Sequence, residues 1–208
     1  MDPAEAAKWD ERYRRPEYWA GKEPVEFLQE VLPWLPRGGT ALDVAMGEGR
    51  NSVFLAQQGW RVVGVDAASA ALAKAEALAH ERSVWVSRWA PDMPVVPPHP
   101  GLLLHQADLE TEPLPAGPFG LIICFNYLQR SLLRSLEERV APGGYLVYET
   151  YTLDQLRFAG GPRNPEFLLQ PGELRAAFPA LEIIFYREHN AGKGIASLLA
   201  RRLKIGCR

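Results

Sequence analysis

The sequence predicts an α/β fold whose sheet is mostly parallel, has seven strands and ends in an antiparallel hairpin. Three observations support this fold class. Short apolar runs alternate with helical stretches over residues 40–82, and this alternation is typical of βαβ units with parallel strands. The same rhythm returns over residues 102–150. The last two apolar runs, 181–188 and 195–200, flank a short Gly-containing turn and should therefore pair antiparallel.

The individual elements follow from hydrophobic periodicity and from breaks at Gly and Pro. Helices are expected at residues 4–13, 25–35, 51–58, 67–82 and 128–140. Strands are expected at residues 40–45, 60–66, 102–108, 119–126, 145–150, 181–188 and 195–200. The crossover between the first two strands should be right-handed.

A chain of 208 residues fits one domain better than two. We therefore expect a single domain over residues 1–208, with an N-terminal helical cap at 1–36. Residues 91–100 contain five prolines, which excludes a helix interior or a central strand. We interpret residues 86–101 as a Pro-rich insertion, either a lid over the site or a surface loop.

Composition and charge exclude several classes of protein. The net charge of −2 argues against a dedicated nucleic-acid binder, which usually carries a strong basic excess. No apolar run is long enough to span a membrane, and the polar N-terminus is unlike a secretory signal, so we expect a cytoplasmic protein. Cys124 and Cys207 cannot build a disulfide framework, and Cys124 should lie in the core. The four histidines lack metal-ligand spacing, so we assign no metal.

Two glycines follow the first predicted strand, at a place where open α/β sheets bind ligands. Gly47 and Gly49 come just after the carboxyl end of that strand. Glycine lets the backbone approach a ligand closely and adopt positive φ, and the next helix directs its N-terminal amides to the same place. The pattern alone is also that of an ordinary strand-to-helix turn.

Acidic residues end the next two predicted strands. Asp66 is placed where a carboxylate can bond both hydroxyls of a ribose, and its burial without a partner would be costly. The alternative role for Asp66 is the N-cap of the following helix. Asp108 is a candidate partner for the exocyclic amine of an adenine, or else a turn cap.

Asp43 indicates which kind of nucleoside cofactor the site prefers. The third position of a dinucleotide-binding glycine motif is Ser52 here. A carboxylate at Asp43, inside the strand end, suits a ligand with a positive ammonium group and repels a pyrophosphate. The residues therefore favour a cofactor with an ammonium group over a dinucleotide.

Four segments of the sequence resemble the motifs of class I S-adenosylmethionine-dependent methyltransferases. Residues 42–49 (LDVAMGEG) resemble the first motif, 63–66 (VGVD) the second, 107–109 (ADL) the third and 141–147 (APGGYLV) the fifth. The resemblance implies a Rossmann-like three-layer sandwich, S-adenosylmethionine as cofactor, and methyl transfer by in-line displacement.

The sequence is more narrowly similar to the tellurite-resistance (TehB-like) and thiopurine methyltransferase-like branch. The segments that support this branch are 9–13, 18–21, 47–51, 125–128, 148–150 and 162–174. Two positions depart from the family pattern. Ala45 stands where the family usually has glycine, and Met46 where a small residue or Cys is common. The added methyl group of Ala45 is expected to weaken cofactor binding.

The resemblance also implies the site residues. The expected cofactor-binding residues are Tyr13, Gly21, Asp43, Ala45, Gly47, Gly49, Asp66, Ala67, Asp108, Leu109 and Phe125. On the acceptor side we expect Asn126, Tyr127 and Arg163 in catalytic roles. For Tyr127 the alternative is a packing tyrosine. For Arg163, a candidate for binding an anionic substrate, the alternative is a solvated arginine.

We expect the methyl acceptor to be a small molecule, such as a thiol or a metalloid oxyanion. The basic tail at 201–204 leaves an RNA-directed methyltransferase as one alternative. A non-catalytic S-adenosylmethionine-binding protein and, with less support, a nucleotide-dependent oxidoreductase are the others. The identity of the acceptor and the oligomeric state stay open at this stage.

Overall fold

The computed structural model describes residues 3–204, which form two compact units that divide between Ala116 and Gly117. The expected single domain over residues 1–208, with its cap at 1–36, stays a prediction. Cys207, the second cysteine of the sequence, lies outside the described residues.

The helices of the first unit correspond to the predicted ones, with shifts at their ends. They are α1 (Pro3–Tyr13), α2 (Glu26–Val31), α3 (Arg50–Gln57) and α4 (Ser69–Glu81). The predicted helix at 25–35 is shorter, because α2 gives way to a 3₁₀ turn at Leu32–Trp34. Pro33 within that turn has no N–H to continue an α-helix, and its ring crowds the preceding turn.

The strands of the first unit are all parallel. They are β1 (Gly39–Val44), β2 (Trp60–Asp66), β3 (Val86–Arg88) and β4 (Gly101–Gln106), in the spatial order β3-β4-β2-β1. The central residues of β1, β2 and β4 are mostly apolar and buried, as expected for parallel strands that are covered on both faces. The carboxyl ends of β1 and β2 therefore meet at one edge, which positions the site.

Strand β3 corrects the predicted strand number. Eight strands lie within residues 3–204, whereas seven were predicted, and the additional one is at the start of the expected insertion at 86–101. Val86–Arg88 pairs with Leu102–Leu104, and Leu102 N–H donates to the Trp85 carbonyl at 2.8 Å. Three residues are too short for a period-2 signal. The Pro-rich residues 91–100 form neither helix nor strand.

The second unit confirms the antiparallel end of the fold. Its elements are β5 (Phe119–Phe125), α5 (Leu133–Arg139), β6 (Val140–Tyr151), α6 (Glu173–Ala176), β7 (Glu182–His189) and β8 (Ile195–Arg201). Short 3₁₀ turns lie at Arg130–Leu132, Leu153–Arg157 and Pro165–Phe167. Strands β5 and β6 pair in parallel, and β8 pairs antiparallel with both β6 and β7. The fold is therefore α/β and Rossmann-like, mostly parallel with antiparallel C-terminal strands.

One predicted turn in the second unit is wrong. Residues 141–144 were expected to separate a helix from a strand, but they lie inside β6, which begins at Val140. Val140 pairs with Phe119, and the register shifts before Leu121 pairs with Tyr145. The extra residues are accommodated as a bulge of the strand, where Gly143 has a φ of +80°.

Buried apolar side chains of the strands form the core of each unit. Cys124 is fully buried, so its predicted core position is confirmed. Among the described residues no helix is both long and apolar enough to cross a membrane.

Candidate cofactor site

A loop between β1 and α3, residues 45–49, carries the predicted glycine motif and is called the glycine loop here. Its backbone is left-handed at Ala45 (φ +54°), Gly47 (φ +55°) and Gly49 (φ +80°). Met46 N–H donates to the Val65 carbonyl at 2.9 Å, which fixes the loop to β2. A left-handed conformation costs about 1–2 kcal/mol for a residue with a Cβ, so Ala45 introduces backbone strain at the start of the loop.

Asp66 at the end of β2 holds the glycine loop in place. Gly47 N–H donates to Asp66 Oδ2 at 2.8 Å, and Ala68 N–H donates to Asp66 Oδ1 at 2.9 Å. Burial raises the pKa of Asp66, and these two backbone hydrogen bonds oppose that rise. Each carboxylate oxygen has a second lone pair, so Asp66 retains acceptor capacity for a ligand hydroxyl.

The alternative role of Asp66 as a helix N-cap does not hold in the structure. Ala68 is the N-cap position of α4, and no side chain caps the helix from there. Asp10 of α1 takes that role, because its Oδ1 accepts from Ala70 N–H at 3.0 Å and from Ser69 Oγ at 3.4 Å. This contact joins α1 to the first turn of α4.

Asp43 lies buried at the end of β1, with 1% of its surface exposed. Ser52 Oγ donates to its Oδ2 at 2.6 Å. Burial, the largest cause, raises the pKa of Asp43 to about 7, and the Ser52 hydrogen bond works in the opposite direction. In the sequence Ser52 stands out only as a departure from a dinucleotide motif, and its pairing with Asp43 becomes visible only in the fold.

Met46 and Gly49 are explained by packing within the first unit. A Cβ at Gly64 would lie 2.1 Å from Met46 Sδ, and a Cβ at Gly49 would lie 2.6 Å from the Ala75 Cβ of α4. The thioether of Met46 therefore fills the space above Gly64. Gly49 is required by the close approach of α4.

Glu48 is a residue of the glycine loop that sequence reasoning missed. It is 4% exposed, and Lys74 Nζ of α4 donates to its Oε1 at 2.7 Å. Ala20 N–H donates to Oε2 at 3.4 Å. Lys74 also donates to the Glu17 carbonyl at 2.6 Å, and its own carbonyl accepts from Tyr18 Oη at 3.0 Å.

Residues 17–25, called the N-terminal strap here, are fastened to the glycine loop and to the start of α3. In addition to the Glu48 and Lys74 contacts, Arg50 Nη1 donates to the Ala20 carbonyl at 2.5 Å, and Val25 N–H donates to Asn51 Oδ1 at 2.9 Å. The sequence signals for these contacts were the segments 18–21 and 47–51, which were quoted for their resemblance.

Tyr13 lies against the glycine loop from α1. A Cβ at Gly47 would be 3.2 Å from Tyr13 Oη, and the Tyr13 ring stacks with Trp9 at 5.7 Å between centroids. Burial is the main cause that raises the pKa of Tyr13, followed by the negative charges of Asp66 and Glu48. The phenol is therefore neutral at physiological pH.

The remaining expected cofactor residues of the first unit occupy turns. Gly21 has a φ of +74° and lies in the strap. The Ala67 carbonyl accepts from Gln106 Nε2 at 3.2 Å, and Leu109 is buried. Asp108 Oδ1 accepts from Glu110 N–H at 3.0 Å, so Asp108 does act as a turn cap.

In the second unit, the expected residues cluster after β5. Phe125 is buried at the end of the strand. Asn126 is exposed and left-handed (φ +56°), and its N–H donates to the Glu149 carbonyl at 2.9 Å. Tyr127 Oη donates to Gln129 Oε1 at 2.5 Å, and the Tyr127 carbonyl accepts from Tyr148 Oη at 2.9 Å.

Arg163 is exposed and makes contacts within its own loop. Its Nη1 donates to the carbonyls of Leu156 and Phe158 at 3.1 and 2.9 Å. Arg130 is similarly committed, because it forms a two-pronged ion pair with Glu173 at 2.7 and 3.0 Å. Among the side chains that the structure describes, no three metal-ligating groups cluster.

Comparisons with known proteins identify the family. Residues 11–192 match the family described as "Methyltransferase domain". The chain matches none of the curated proteins to which it was compared.

Several solved structures share the fold at low sequence identity. TehB from Haemophilus influenzae has a TM-score of 0.69 and 16% identity, over 88% of this chain and 64% of TehB. This chain thus spans less than two thirds of TehB. A protein from the conversion of a disulfide bond into a thioacetal group during echinomycin biosynthesis has a TM-score of 0.68 and 18% identity, over 98% of this chain and 94% of that chain. Magnesium protoporphyrin IX methyltransferase (ChlM) from Synechocystis PCC 6803, with bound SAH, has a TM-score of 0.64 and 16% identity, over 97% and 95% of the two chains. The chain therefore belongs to the methyltransferase-domain family.

Proposed function

We propose that this enzyme transfers the methyl group of S-adenosylmethionine to a small-molecule acceptor, such as a thiol or an oxyanion. The observation that carries the proposal is the strap, which fastens the enzyme's own residues to the glycine loop through Glu48, Lys74 and Arg50. A loop covered in this way suits a small acceptor better than a folded RNA.

Two properties of the first unit fit the cofactor: its carboxylate groups can accept hydrogen bonds from the cofactor, and its glycine loop leaves space for it. Asp66 offers carboxylate oxygens to ribose hydroxyls. Gly47 has no Cβ, and a Cβ there would crowd Tyr13 at 3.2 Å. Asp43 is the acidic partner for an ammonium group when it is ionised. The expected roles of Gly21, Ala45, Gly49, Ala67, Asp108, Leu109 and Phe125 at the same cofactor remain part of the proposal.

S-adenosylmethionine, when bound, supplies an activated methyl group, so the acceptor needs alignment more than strong acid–base chemistry. Asp66, Asp43 and the glycine loop would hold the cofactor, which would supply its methyl group to an acceptor aligned beside it. Tyr13, neutral and partly buried, can orient groups and exclude water without competing as a nucleophile. We propose Asn126 and Tyr127 as acceptor-side residues, and Arg163 as the residue that holds the loop beginning at Leu156.

The basic tail supports a small acceptor over RNA. Arg202 Nη2 donates to the Glu137 carbonyl within the second unit, and the Arg201 guanidinium lies 5.8 Å from the centre of the Tyr145 ring. Both arginines therefore contribute to the packing of their own unit. The similar proteins named for echinomycin biosynthesis and for magnesium protoporphyrin IX are also described by small molecules.

The first test is calorimetric titration with S-adenosylmethionine and S-adenosylhomocysteine. We expect the parent to bind both, and Asp66→Ala to lose at least about tenfold in affinity, which is about 1.4 kcal/mol. Asp92→Ala is the matched control, because Asp92 is an exposed aspartate of the Pro-rich loop. Thiols, metalloid oxyanions and transfer RNA are then compared as acceptors. A parent that binds neither ligand would overturn the proposal, and methylation of RNA alone would replace the small acceptor.

A further inference from the structure

Arg12 of α1 is held between two tryptophan rings. Its guanidinium carbon lies 4.3 Å from the centre of the Trp9 ring and 4.4 Å from that of Trp19. Trp9 belongs to the same helix, whereas Trp19 belongs to the strap. Two independent elements therefore fix the position of one guanidinium group.

The edges of the Arg12 guanidinium stay open. Stacking uses the faces of the planar group and leaves its five N–H donors in the plane. Among the residues that the structure describes, Arg12 makes no hydrogen bond or ion pair. Nearby acidic groups already have basic partners, since Asp10 pairs with Arg14 and Glu48 with Lys74.

The position of Arg12 places this group beside the proposed cofactor site. The next residue, Tyr13, lies against Gly47. On the other side of the guanidinium, Trp19 precedes Ala20, whose N–H and carbonyl contact Glu48 and Arg50. Trp19 is 54% exposed, although a large apolar side chain gains from burial. An unpaired, oriented cation next to an exposed ring is typical of a binding site for an anion with a flat body.

We propose that Arg12 is an anion-binding residue of the active site and takes a carboxylate through its free N–H edge. This inference rests on the proposed function. The carboxylate has two possible sources with the same chemistry, which are an anionic methyl acceptor and the amino-acid end of the cofactor. The proposal moves the expected anion contact from Arg163, whose Nη1 bonds two backbone carbonyls, to Arg12.

Equilibrium binding tests the proposal without turnover. Three probes are titrated into the protein: benzoate, S-adenosylhomocysteine, and 5′-methylthioadenosine, which has the nucleoside but no carboxylate. The variants are Arg12→Gln, Arg12→Lys and Arg15→Gln. Arg15 is an exposed arginine three residues away, so its variant removes the same charge outside the tryptophan pair.

We expect Arg12→Gln to weaken one carboxylate probe by about tenfold or more, as for the loss of a charge-assisted pair. Arg12→Lys should recover only part of the affinity, because lysine lacks the planar fork. Binding of 5′-methylthioadenosine should not change, and Arg15→Gln should match the parent with all three probes. Tryptophan fluorescence gives a second readout, because the anion would bind against Trp9 and Trp19.

The outcomes separate the two sources and the two proposals. A loss confined to S-adenosylhomocysteine assigns the carboxylate of the cofactor, and a loss of benzoate binding assigns an anionic acceptor. If the parent binds S-adenosylhomocysteine and Arg12→Gln binds every probe equally well, the inference is overturned while the proposed function stands. If the parent binds neither carboxylate probe, both are overturned. Thermal unfolding of each variant shows whether the fold is retained.

Discussion

Lys74 of α4 and Glu48 of the glycine loop form an ion pair whose nitrogen and oxygen are 2.7 Å apart, with side chains only 15% and 2% exposed. The same lysine donates to the Glu17 carbonyl. One ammonium group thus joins α4, the glycine loop and the strap. Because both charges lie away from water, removing one partner of this pair costs more stability than removing one partner of a surface ion pair.

Replacement of Lys74 by methionine leaves Glu48 buried without its cation. Breaking a buried pair in this way costs about 3–5 kcal/mol, so chemical denaturation should show a large fall in the free energy of unfolding. Lys22→Met is the control, because Lys22 pairs with Glu81 at the surface and its loss should hardly change stability. The double variant Lys74→Met/Glu48→Gln should regain much of the loss. A Lys74→Met protein as stable as the parent would contradict this account of the pair.

Asp43 predicts a pH-dependent contribution to stability. The pKa of Asp43 in the folded protein, about 7, lies above the ordinary aspartate value of 3.8. The folded protein therefore holds this proton more tightly than the unfolded chain does. The stabilisation is complete below about pH 4 and is lost as pH rises through about 7, with a slope of at most about 1.4 kcal/mol per pH unit. Unfolding of the parent and of Asp43→Asn between pH 4 and 8 isolates this effect. Parallel stability curves for the two proteins would argue against the raised pKa.

Gly64→Ala should destabilise the enzyme by overpacking. The new Cβ would lie 2.1 Å from Met46 Sδ, with Ser52 Oγ and Leu102 Cδ1 at 3.2 and 3.3 Å. Overpacking of a close-packed core typically costs about 1–3 kcal/mol. Met46→Ala measured alone and combined with Gly64→Ala completes a double-mutant cycle. The combined variant should lose less than the sum of the two, and strict additivity would show that Met46 is not the obstacle.

Ala45→Gly should stabilise the glycine loop. The φ of +54° at Ala45 costs about 1–2 kcal/mol for a residue with a Cβ. Glycine adopts this φ without that cost. Part of the gain is offset, because glycine also raises the conformational entropy of the unfolded chain. A net gain of up to about 1 kcal/mol is expected by denaturation. Ala41→Gly, in the middle of β1, is the control and should lose stability. The affinity for S-adenosylhomocysteine should not fall in Ala45→Gly. A destabilised Ala45→Gly would mean that the strain is relieved elsewhere.

The parts of the site that were predictable depend on chain order in a parallel sheet. Gly47 and Asp66 follow neighbouring strands, and the carboxyl ends of such strands share one edge, so their proximity could be predicted. Their contact at 2.8 Å agrees with that geometry. Strand β3 could not be predicted, because three residues are too few to show the alternation of a strand. It is defined only by its pairing with Leu102–Leu104, which lie after the Pro-rich loop.

Contacts that depend on side chains far apart in sequence were beyond prediction. Glu48 and Lys74 are ordinary charged residues until the fold buries them together. Asp10 and Ala70 meet only because α1 reaches the start of α4. Arg12 looked like one of many arginines, and only the positions of Trp9 and Trp19 distinguish it.

Hydrogen bonds fasten the strap to Glu48, Arg50, Asn51 and Lys74. Two surface ion pairs, Lys22 with Glu81 and Glu23 with Arg82, add to them. None of these contacts belongs to the ladder between β1 and β2. The strap can therefore detach while the sheet stays intact, which makes it a unit of sub-global opening. The amides of Ala20 and Val25 should exchange with solvent deuterium far faster than those of β1. Ligands would then enter and leave on the timescale of this local opening, with no need for the enzyme to unfold.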